Sequence, residues 1–114
     1  MSVDTSGIEL EIVNDLTIEL RNEPTFDADI LALKVKLAVK DVINYRNYAV
    51  TSYTNEQILD DLYSLYSTIC DIARYDYNKL GGEGEAGHSE NGISRTYVSR
   101  DSLFSKVFPF VKFL

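Results

Sequence analysis

The chain has 114 residues, a formal charge of −7 and a hydrophobic content of 45%. This length fits one domain, spanning 1–114, and the apolar content excludes a disordered chain. The single cysteine, Cys70, cannot form an internal disulfide and is compatible with a reducing compartment. No apolar run is long enough to span a membrane, and the N-terminus lacks the basic and apolar stretches of a signal peptide. We therefore expect neither a membrane span nor secretion.

The negative charge is concentrated at the N-terminal end of the chain. Residues 1–29 have a net charge of −7, because Arg21 is the only basic residue among eight acidic ones. Such an excess disfavours phosphate binding, which requires clustered lysine and arginine. It is typical of a solvated helix face, and a surface past which DNA slides without binding would look the same. The eight residues are Asp4, Glu9, Glu11, Asp15, Glu19, Glu23, Asp27 and Asp29.

Two helices are predicted in the first half of the chain. Apolar residues recur with a helical period over 8–22, and Pro24 ends this helix because the residue before a proline avoids the α region. Thr25 or Asp27 then caps a second helix over 27–48. The predicted core stripes are Leu10, Val13, Thr17 and Leu20 with Ile12 and Leu16 beside them on the first helix, and Leu31, Val35, Ala38, Val42, Tyr45 and Ala49, widened by Ile30, Leu33 and Leu37, on the second.

A third helix is predicted over 55–80. Thr54 and Gln57 form a capping box at its start, and Gly81-Gly82 is expected to end it. Its apolar residues form an arc wider than one neighbouring helix requires. The arc comprises Ile58, Leu62, Leu65, Ile69 and Ile72 in one stripe and Leu59, Tyr63, Tyr66, Cys70, Ala73, Tyr77 and Leu80 in the next. The predicted solvent-facing side comprises Asp60, Asp61, Ser64, Thr68 and Asp71.

The remaining residues predict a loop, an extended arm and a short helix. Five of the six glycines lie between Arg74 and Tyr97, so 81–98 is expected to be a loop with a β-compatible arm at 93–98. A short helix over 101–108 follows and is ended by Pro109. The tail 109–114 is strongly apolar and aromatic, so it is expected to dock on its own core or on another chain.

No catalytic, cofactor-binding or metal-binding constellation is recognisable. Residues 82–87 match G-x-G-x-x-G, but a helix precedes them and Glu83 and Glu85 would lie where a pyrophosphate should bind. His88 is the only histidine, and one ligand does not make a metal site. Cys70 lies in the apolar arc, where a cysteine usually acts as a small hydrophobic residue. We therefore expect a protein that is not an enzyme and needs no cofactor.

Two stretches of this sequence resemble one family of virion proteins. They are Asn44-Tyr45-Arg46-Asn47-Tyr48 and the run from Ala73 to Tyr97, which contains EGE and HSENGISRTY. Both are similar to the small head–tail connector (adaptor) proteins of long-tailed bacteriophages and related prophages. The resemblance covers roughly residues 10–112 and is most specific across 73–97. The tail FPFVKFL departs from it, because it is less basic than the PYRR-like ending of other members.

The resemblance implies an all-α fold of about four helices, three longer and one short and C-terminal. It implies a ring, commonly of twelve subunits, that docks beneath the portal protein of the filled capsid and receives the head-closure or tail completion protein. DNA would pass through its channel, lined by acidic helices, without specific binding. The protein would belong to the neck of the virion and to the host cytoplasm during assembly.

The resemblance also implies where partners bind. The wide apolar arc of the third helix would face two neighbouring subunits, the loop and arm would become ordered on docking, and the aromatic tail would contact an adjacent subunit or the portal. The candidate residues for subunit and partner interfaces are Arg74, Tyr77, Glu83, Glu85, His88, Asn91, Ile93, Arg95, Tyr97, Phe104, Phe108, Phe110 and Phe113.

Two other functions remain open from the sequence. A tail completion or head-closure protein has a similar size, but such proteins tend to be β-rich, so a mainly helical chain would exclude most of them. A small helical regulator that binds a host protein would instead be a monomer or dimer and would ignore the portal. An enzyme is the least favoured class, because no pocket with convergent titratable groups is recognisable.

Overall fold

The computed structural model describes residues 3–82 and 100–111. Across these residues the chain forms α-helices and short 3-10 helices and no strand, which confirms an all-α fold with four main helices. In chain order the elements are α1 (Ser6–Leu20), α2 (Ala28–Arg46), a 3-10 turn (Tyr48–Val50), α3 (Asn55–Ser64), α4 (Tyr66–Gly82) and a C-terminal 3-10 helix (Asp101–Lys106).

Local capping signals place the helix ends close to where the sequence predicts them. The Asp27 carboxylate accepts a hydrogen bond from the backbone N–H of Ile30 at 3.1 Å, which starts α2. The capping box of Thr54 and Gln57 starts α3 as predicted. The helix α2 ends at Arg46, two residues earlier than predicted, because Asn47 takes a left-handed conformation with φ of 64° and turns the chain.

The predicted third helix is divided in two at Leu65. In an unbroken helix the carbonyl of Asp61 would accept the backbone N–H of Leu65, but the Ser64 hydroxyl donates to that carbonyl at 2.6 Å. The Leu65 N–H bonds instead to the carbonyl of Leu62 at 3.0 Å. The prediction of one continuous helix over 55–80 is therefore wrong. The structure has two helices in this region, α3 and α4.

The core stripe of α1 differs from the predicted one. Its buried residues are spaced four apart, whereas Leu10 of the predicted stripe is exposed. Both stripes have a helical period, so periodicity alone could not choose between them. Polar contacts along one side of α1 fix its rotation against α3 and α4. The buried residues are Ile8, Ile12, Leu16 and Leu20, and the polar contacts are Tyr63 to Glu11, Tyr66 to Asp15 and Arg74 to Glu19.

The helices α2 and α4 form the centre of the core, with α1 packed against both. The residues of α2 and α4 that lie in this centre are Leu31, Val35, Ala38, Val39, Val42, Ile69, Cys70, Ile72 and Ala73. Four residues that the sequence assigns to the core side of this helix or to its continuation are exposed: Leu33, Leu37, Tyr45 and Ala49. Leu33 and Leu37 lie on the side of α2 opposite the core, Tyr45 lies in its last turn, and Ala49 lies in the 3-10 turn beyond its end.

The apolar arc of α3 and α4 is used mostly inside the subunit. Its buried members pack against α1 and α2 of the same chain, so the expectation that it faces two neighbouring subunits is wrong for them. Thr68 and Asp61 were both predicted to face solvent. Thr68 is buried, and the side chain of Asp61 is largely buried in an ion pair with Arg46.

The C-terminal helix is shorter than predicted and has 3-10 rather than α geometry. It covers Asp101–Lys106, and Phe104 and Val107 are buried beneath it. Gly81 and Gly82, predicted to end the helix at residue 80, are themselves helical and lie in the last turn of α4. The rest of the predicted loop and the β-compatible arm at 93–98 lie outside the described residues. No helix in the described ranges is both long and apolar enough to cross a membrane.

Candidate partner-binding site

The segment 83–99 is anchored at its C-terminal end by Arg100. The Arg100 guanidinium donates to both carboxylate oxygens of Asp76 at 2.8 Å, and its Nη2 also donates to Asp41 at 2.6 Å. These ion pairs raise the pKa of Arg100, with the hydrogen bonds to Asp76 as the largest cause. Arg100 therefore joins the end of the segment to α4 and to α2.

The described residues on either side of 83–99 lie near the same part of α4. Asp76 lies six residues before Gly82, which is about 9 Å along a helix axis. Since Arg100 contacts Asp76, Gly82 and Arg100 both lie near the last turns of α4. The stretch with the most specific resemblance, 73–97, therefore begins within α4 and continues into residues outside the described ranges.

A second candidate region is the C-terminal segment, which lies over the end of α2. The backbone N–H of Phe110 donates to the carbonyl of Arg46 at 2.9 Å, and the Asn47 amide donates to the carbonyl of Phe110 at 3.2 Å. The Arg46 guanidinium donates to the carbonyl of Phe108. These contacts dock the tail, as far as Val111, on its own subunit, which was one of the two expected possibilities.

The Phe110 ring lies in a cage of one cation and two aromatic rings. The Arg46 guanidinium carbon is 4.0 Å from the centre of the ring. The ring centres of Tyr53 and Tyr48 are 5.3 Å and 5.8 Å away. We call Arg46, Tyr48, Tyr53 and Phe110 the tail cage. Cation–π and edge-to-face contacts of this kind stabilise a docked segment beyond the area that it buries.

Asp61 binds two members of the tail cage, Arg46 and Tyr48. Its carboxylate receives two hydrogen bonds from Arg46, at 2.8 Å and 2.9 Å, and a third from the Tyr48 hydroxyl. The hydrogen bonds from Arg46 are the main cause that lowers the pKa of Asp61. Burial, followed by the hydrogen bond to Asp61, raises the pKa of Tyr48. The three side chains therefore link α2, α3 and the C-terminal segment.

Arg74 and Tyr77, predicted to contact partners, are engaged within the chain. Arg74 donates to Glu19 of α1 at 2.6 Å and 3.0 Å and to Asp71 at 2.9 Å. The Tyr77 hydroxyl accepts the backbone N–H of Asp27 at 2.9 Å. Both side chains hold other elements against α4, and a role of either in partner binding stays a prediction.

The other predicted interface residues fall into three groups. Phe104 is buried in the core of the subunit, Phe110 lies in the tail cage, and Phe108 is 69% exposed. The rest lie outside the described residues: Glu83, Glu85, His88, Asn91, Ile93, Arg95, Tyr97 and Phe113. Sequence reasoning placed Asp61 on the solvent-facing side of the third helix and named no partner for Arg46 or Arg100. Nothing in the spacing of these charges shows which carboxylate and guanidinium will meet, because their contacts join residues far apart in the chain.

The titratable groups in the described ranges do not form a site for chemistry. No three His, Cys, Asp or Glu side chains within 3–82 and 100–111 are close enough to hold a metal ion. Burial raises the pKa of the Cys70 thiol to about 11, so this thiol is protonated near neutral pH. The arrangement of the anchors and of the tail cage is suited to holding polypeptide segments in place.

Comparisons with known proteins do not assign the chain to a family. It matches none of the protein-family models, the curated proteins or the solved structures with which it was compared. The proposal that follows therefore depends on the stretch 73–97 and on the anchors that position it.

Proposed function

We propose that this chain is the subunit of a ring that joins the capsid portal of a long-tailed phage or prophage to the tail or head-closure protein. The observation that carries the proposal is the resemblance of 73–97 to connector proteins, since HSENGISRTY is far less generic than a helical pattern. The ring would hold about twelve copies and would let DNA pass through its channel.

The position of the loop supports a role in docking. The residue that follows 83–99, Arg100, forms ion pairs with Asp76 of α4 and Asp41 of α2, and the residue that precedes the segment, Gly82, ends α4. Loops that carry binding residues are commonly held in this way by a rigid scaffold. In the proposed ring, residues of this loop contact the portal protein, and the exposed Phe108 adds an apolar contact for a neighbouring chain.

The fold favours this function over one of its rivals. Tail completion and head-closure proteins tend to be β-rich, whereas the described residues form helices and no strand. The charge is consistent with passage of DNA as well. A chain with a formal charge of −7 repels the phosphate backbone and so does not hold DNA that moves through the ring.

The proposal is tested by mass photometry of the purified chain, alone and mixed with the portal protein encoded beside it. We expect the portal to gain a multiple of the 12.9 kDa subunit mass that is close to twelve. Rings with head-to-tail contacts often need a template, so a monomer in the absence of the portal agrees with the proposal. A chain that remains a monomer or dimer and leaves the portal unchanged contradicts it and favours a regulator that binds a host protein.

A loop variant tests the observation that carries the proposal. Replacing 83–99 by a Gly-Ser linker of equal length keeps the Arg100 anchor and should abolish the mass shift of the portal. The matched control is a scrambled order of residues 3–5, which lie before α1 and far from the loop in sequence. Portal binding by the linker variant at the affinity of the unmodified chain would show that the loop is not the docking element.

A further inference from the structure

Four large aliphatic side chains are exposed on the outer sides of α1 and α2. Leu10 and Ile18 on α1 are 61% and 63% exposed, and Leu33 and Leu37 on α2 are 50% and 41% exposed. Each lies two residues from a buried residue of its own helix, which is a rotation of about 200° away from the core at 3.6 residues per turn. The pairs are also regular, because their members are eight and four residues apart and so lie along one side of each helix.

The exposed pair on α1 lies in acidic surroundings. We call Leu10, Ile18, Glu11 and Asp15 the acidic face. The helix α1 also contains Glu9 and Glu19 and has no lysine or arginine. Glu11 and Asp15 are exposed, and their hydrogen-bond partners are the hydroxyls of Tyr63 and Tyr66 rather than basic side chains.

The exposed pair on α2 lies in basic surroundings. We call Leu33, Leu37 and the three lysines Lys34, Lys36 and Lys40 the lysine face. Lys36 and Lys40 are exposed, and Lys34 is half-buried. None of the three lysines makes an ion pair with any residue of the described ranges, whereas each described arginine from Arg46 onward has a carboxylate partner.

We infer that the acidic face of one copy docks on the lysine face of the next copy in the ring. This inference rests on the proposed function, because it names the subunit contact of that ring. The two faces complement each other in charge and both offer a pair of aliphatic side chains. The aliphatic pairs of the two faces cannot meet within one chain, since each pair points away from the core that α1 and α2 share.

The chemistry of the two faces also fixes the type of assembly. The two faces are different surfaces, so their contact is head-to-tail. An open row of subunits therefore has an unpaired acidic face at one end and an unpaired lysine face at the other. Every face is paired only when the row closes into a ring. The inference assigns the carboxylates of α1 to a contact between subunits, in place of the sequence-based expectation that acidic helices line the DNA channel.

The test uses two double variants with reversed charge. E11K/I18K changes the summed charge of the acidic face from −2 to +1, and K36E/K40E changes that of the lysine face from +3 to −1. All four positions are exposed, so both variants should fold. We expect each variant alone to need at least tenfold more protein than the unmodified chain for half-maximal assembly on the portal, measured by mass photometry.

Mixing the two variants is the decisive step. In the mixture each reversed face meets a complementary one, while the unmodified faces also still match, so an alternating ring should form. Val50→Glu is the matched control, because it places a glutamate at a partly exposed aliphatic position outside both faces and should assemble normally. Far-ultraviolet circular dichroism and the thermal midpoint confirm that each variant is folded.

The outcomes separate the inference from the proposed function. Assembly of either double variant alone at the concentration of the unmodified chain overturns the inference and leaves the connector function in place. Folded variants that fail alone and also fail as a mixture overturn the pairing of the two faces. Failure of the unmodified chain to assemble, with or without the portal, overturns the proposed function itself.

Discussion

Asp61 is the residue on which three parts of the chain converge. Its carboxylate binds Arg46 from α2 and Tyr48 from the turn that follows, and Arg46 in turn holds the carbonyl of Phe108. The side chains of Arg46 and Asp61 are both largely buried, at 17% and 14% exposure. Removing one member of such a pair leaves the other without its partner, which costs more than the pair contributes when intact.

The first prediction concerns Asp61→Asn and the dependence of stability on pH. A lowered pKa in the folded state means that the native chain binds this proton less readily than the unfolded chain. The ion pair therefore stabilises the fold above the ordinary carboxyl pKa of 3.8, and this contribution is lost as the pH falls below it. We expect Asp61→Asn to unfold about 2 kcal/mol more easily at pH 7, and less of that difference to remain at pH 3.

Urea unfolding between pH 7 and pH 3 measures this effect, with Asp60→Asn as the control. Asp60 is the neighbouring carboxylate and is exposed, so its variant should follow the unmodified chain at every pH. An equal loss of stability for Asp61→Asn at pH 7 and pH 3 would contradict the proposed role of the ion pair.

The second prediction concerns the reactivity of Cys70. Burial raises its pKa from 9.0 to about 11, which lowers the thiolate fraction about a hundredfold near neutral pH. We expect alkylation by iodoacetamide at pH 8 to be at least a hundredfold slower in the native chain than in urea. A native rate that approaches the rate in urea would show that α4 is not packed as described.

At the scale of elements, the rotation of α1 decides which residues form its core stripe. The buried stripe begins at Ile8, and the polar contacts of Glu11, Asp15 and Glu19 with α3 and α4 hold α1 in this setting. Leu10, in contrast, points to solvent.

The third prediction separates these two stripes. Ile12→Ala should destabilise the chain by about 2–5 kcal/mol, because it leaves a cavity in the core. Leu10→Ala should change stability by less than about 0.5 kcal/mol, since its side chain is exposed. Chemical unfolding of the two variants, which serve as controls for each other, measures both values. A larger loss of stability for Leu10→Ala than for Ile12→Ala would instead support the core stripe that the sequence predicts.

The fourth prediction concerns the docked tail. Phe110→Ala removes the ring from the tail cage and should cost about 2 kcal/mol of unfolding free energy. Phe108→Ala keeps the backbone carbonyl that Arg46 binds and removes only an exposed ring, so its effect should stay below about 0.5 kcal/mol. Hydrogen exchange at the Phe110 amide, which donates to Arg46, should accelerate only in Phe110→Ala. Equal exchange rates in both variants would show that the cage does not hold the tail.

Capping explains why some elements were predictable from the sequence. Asp27, Thr54 and Gln57 act on backbone groups within three residues, so their roles follow from local sequence alone. The division at Leu65 depends on one side-chain hydrogen bond from Ser64, and the stripe of α1 depends on contacts with residues about fifty positions away. The spacing of apolar residues along these helices does not show either effect.

Docking of the C-terminal tail was predictable from its aromatic composition, and the structure shows it as far as Val111. The loop that the glycines and polar residues of 81–98 predict lies almost entirely outside the described residues and stays a prediction. The partners of both were not predictable, because Arg100 meets Asp41 and Phe110 meets Arg46 only after α2 and α4 have packed together. Wide apolar arcs are equally ambiguous, since α3 and α4 bury theirs within the subunit.

For the molecule as a whole, the proposed contacts divide the surface by task. In the proposed ring, residues of 83–99 contact the portal, and the acidic face on α1 and the lysine face on α2 form the contacts between copies. Higher salt should weaken assembly of the ring, because exposed charges are screened over about 8 Å at physiological ionic strength.

The most direct test of the connector function is deletion of the gene for this chain from the phage or prophage that carries it. Electron microscopy of the induced lysate should show DNA-filled capsids and separate tails, and a copy of the gene supplied in trans should restore joined particles. Intact, infectious tailed particles in the deletion lysate would contradict the proposed connector function, because heads and tails would then have joined without this chain.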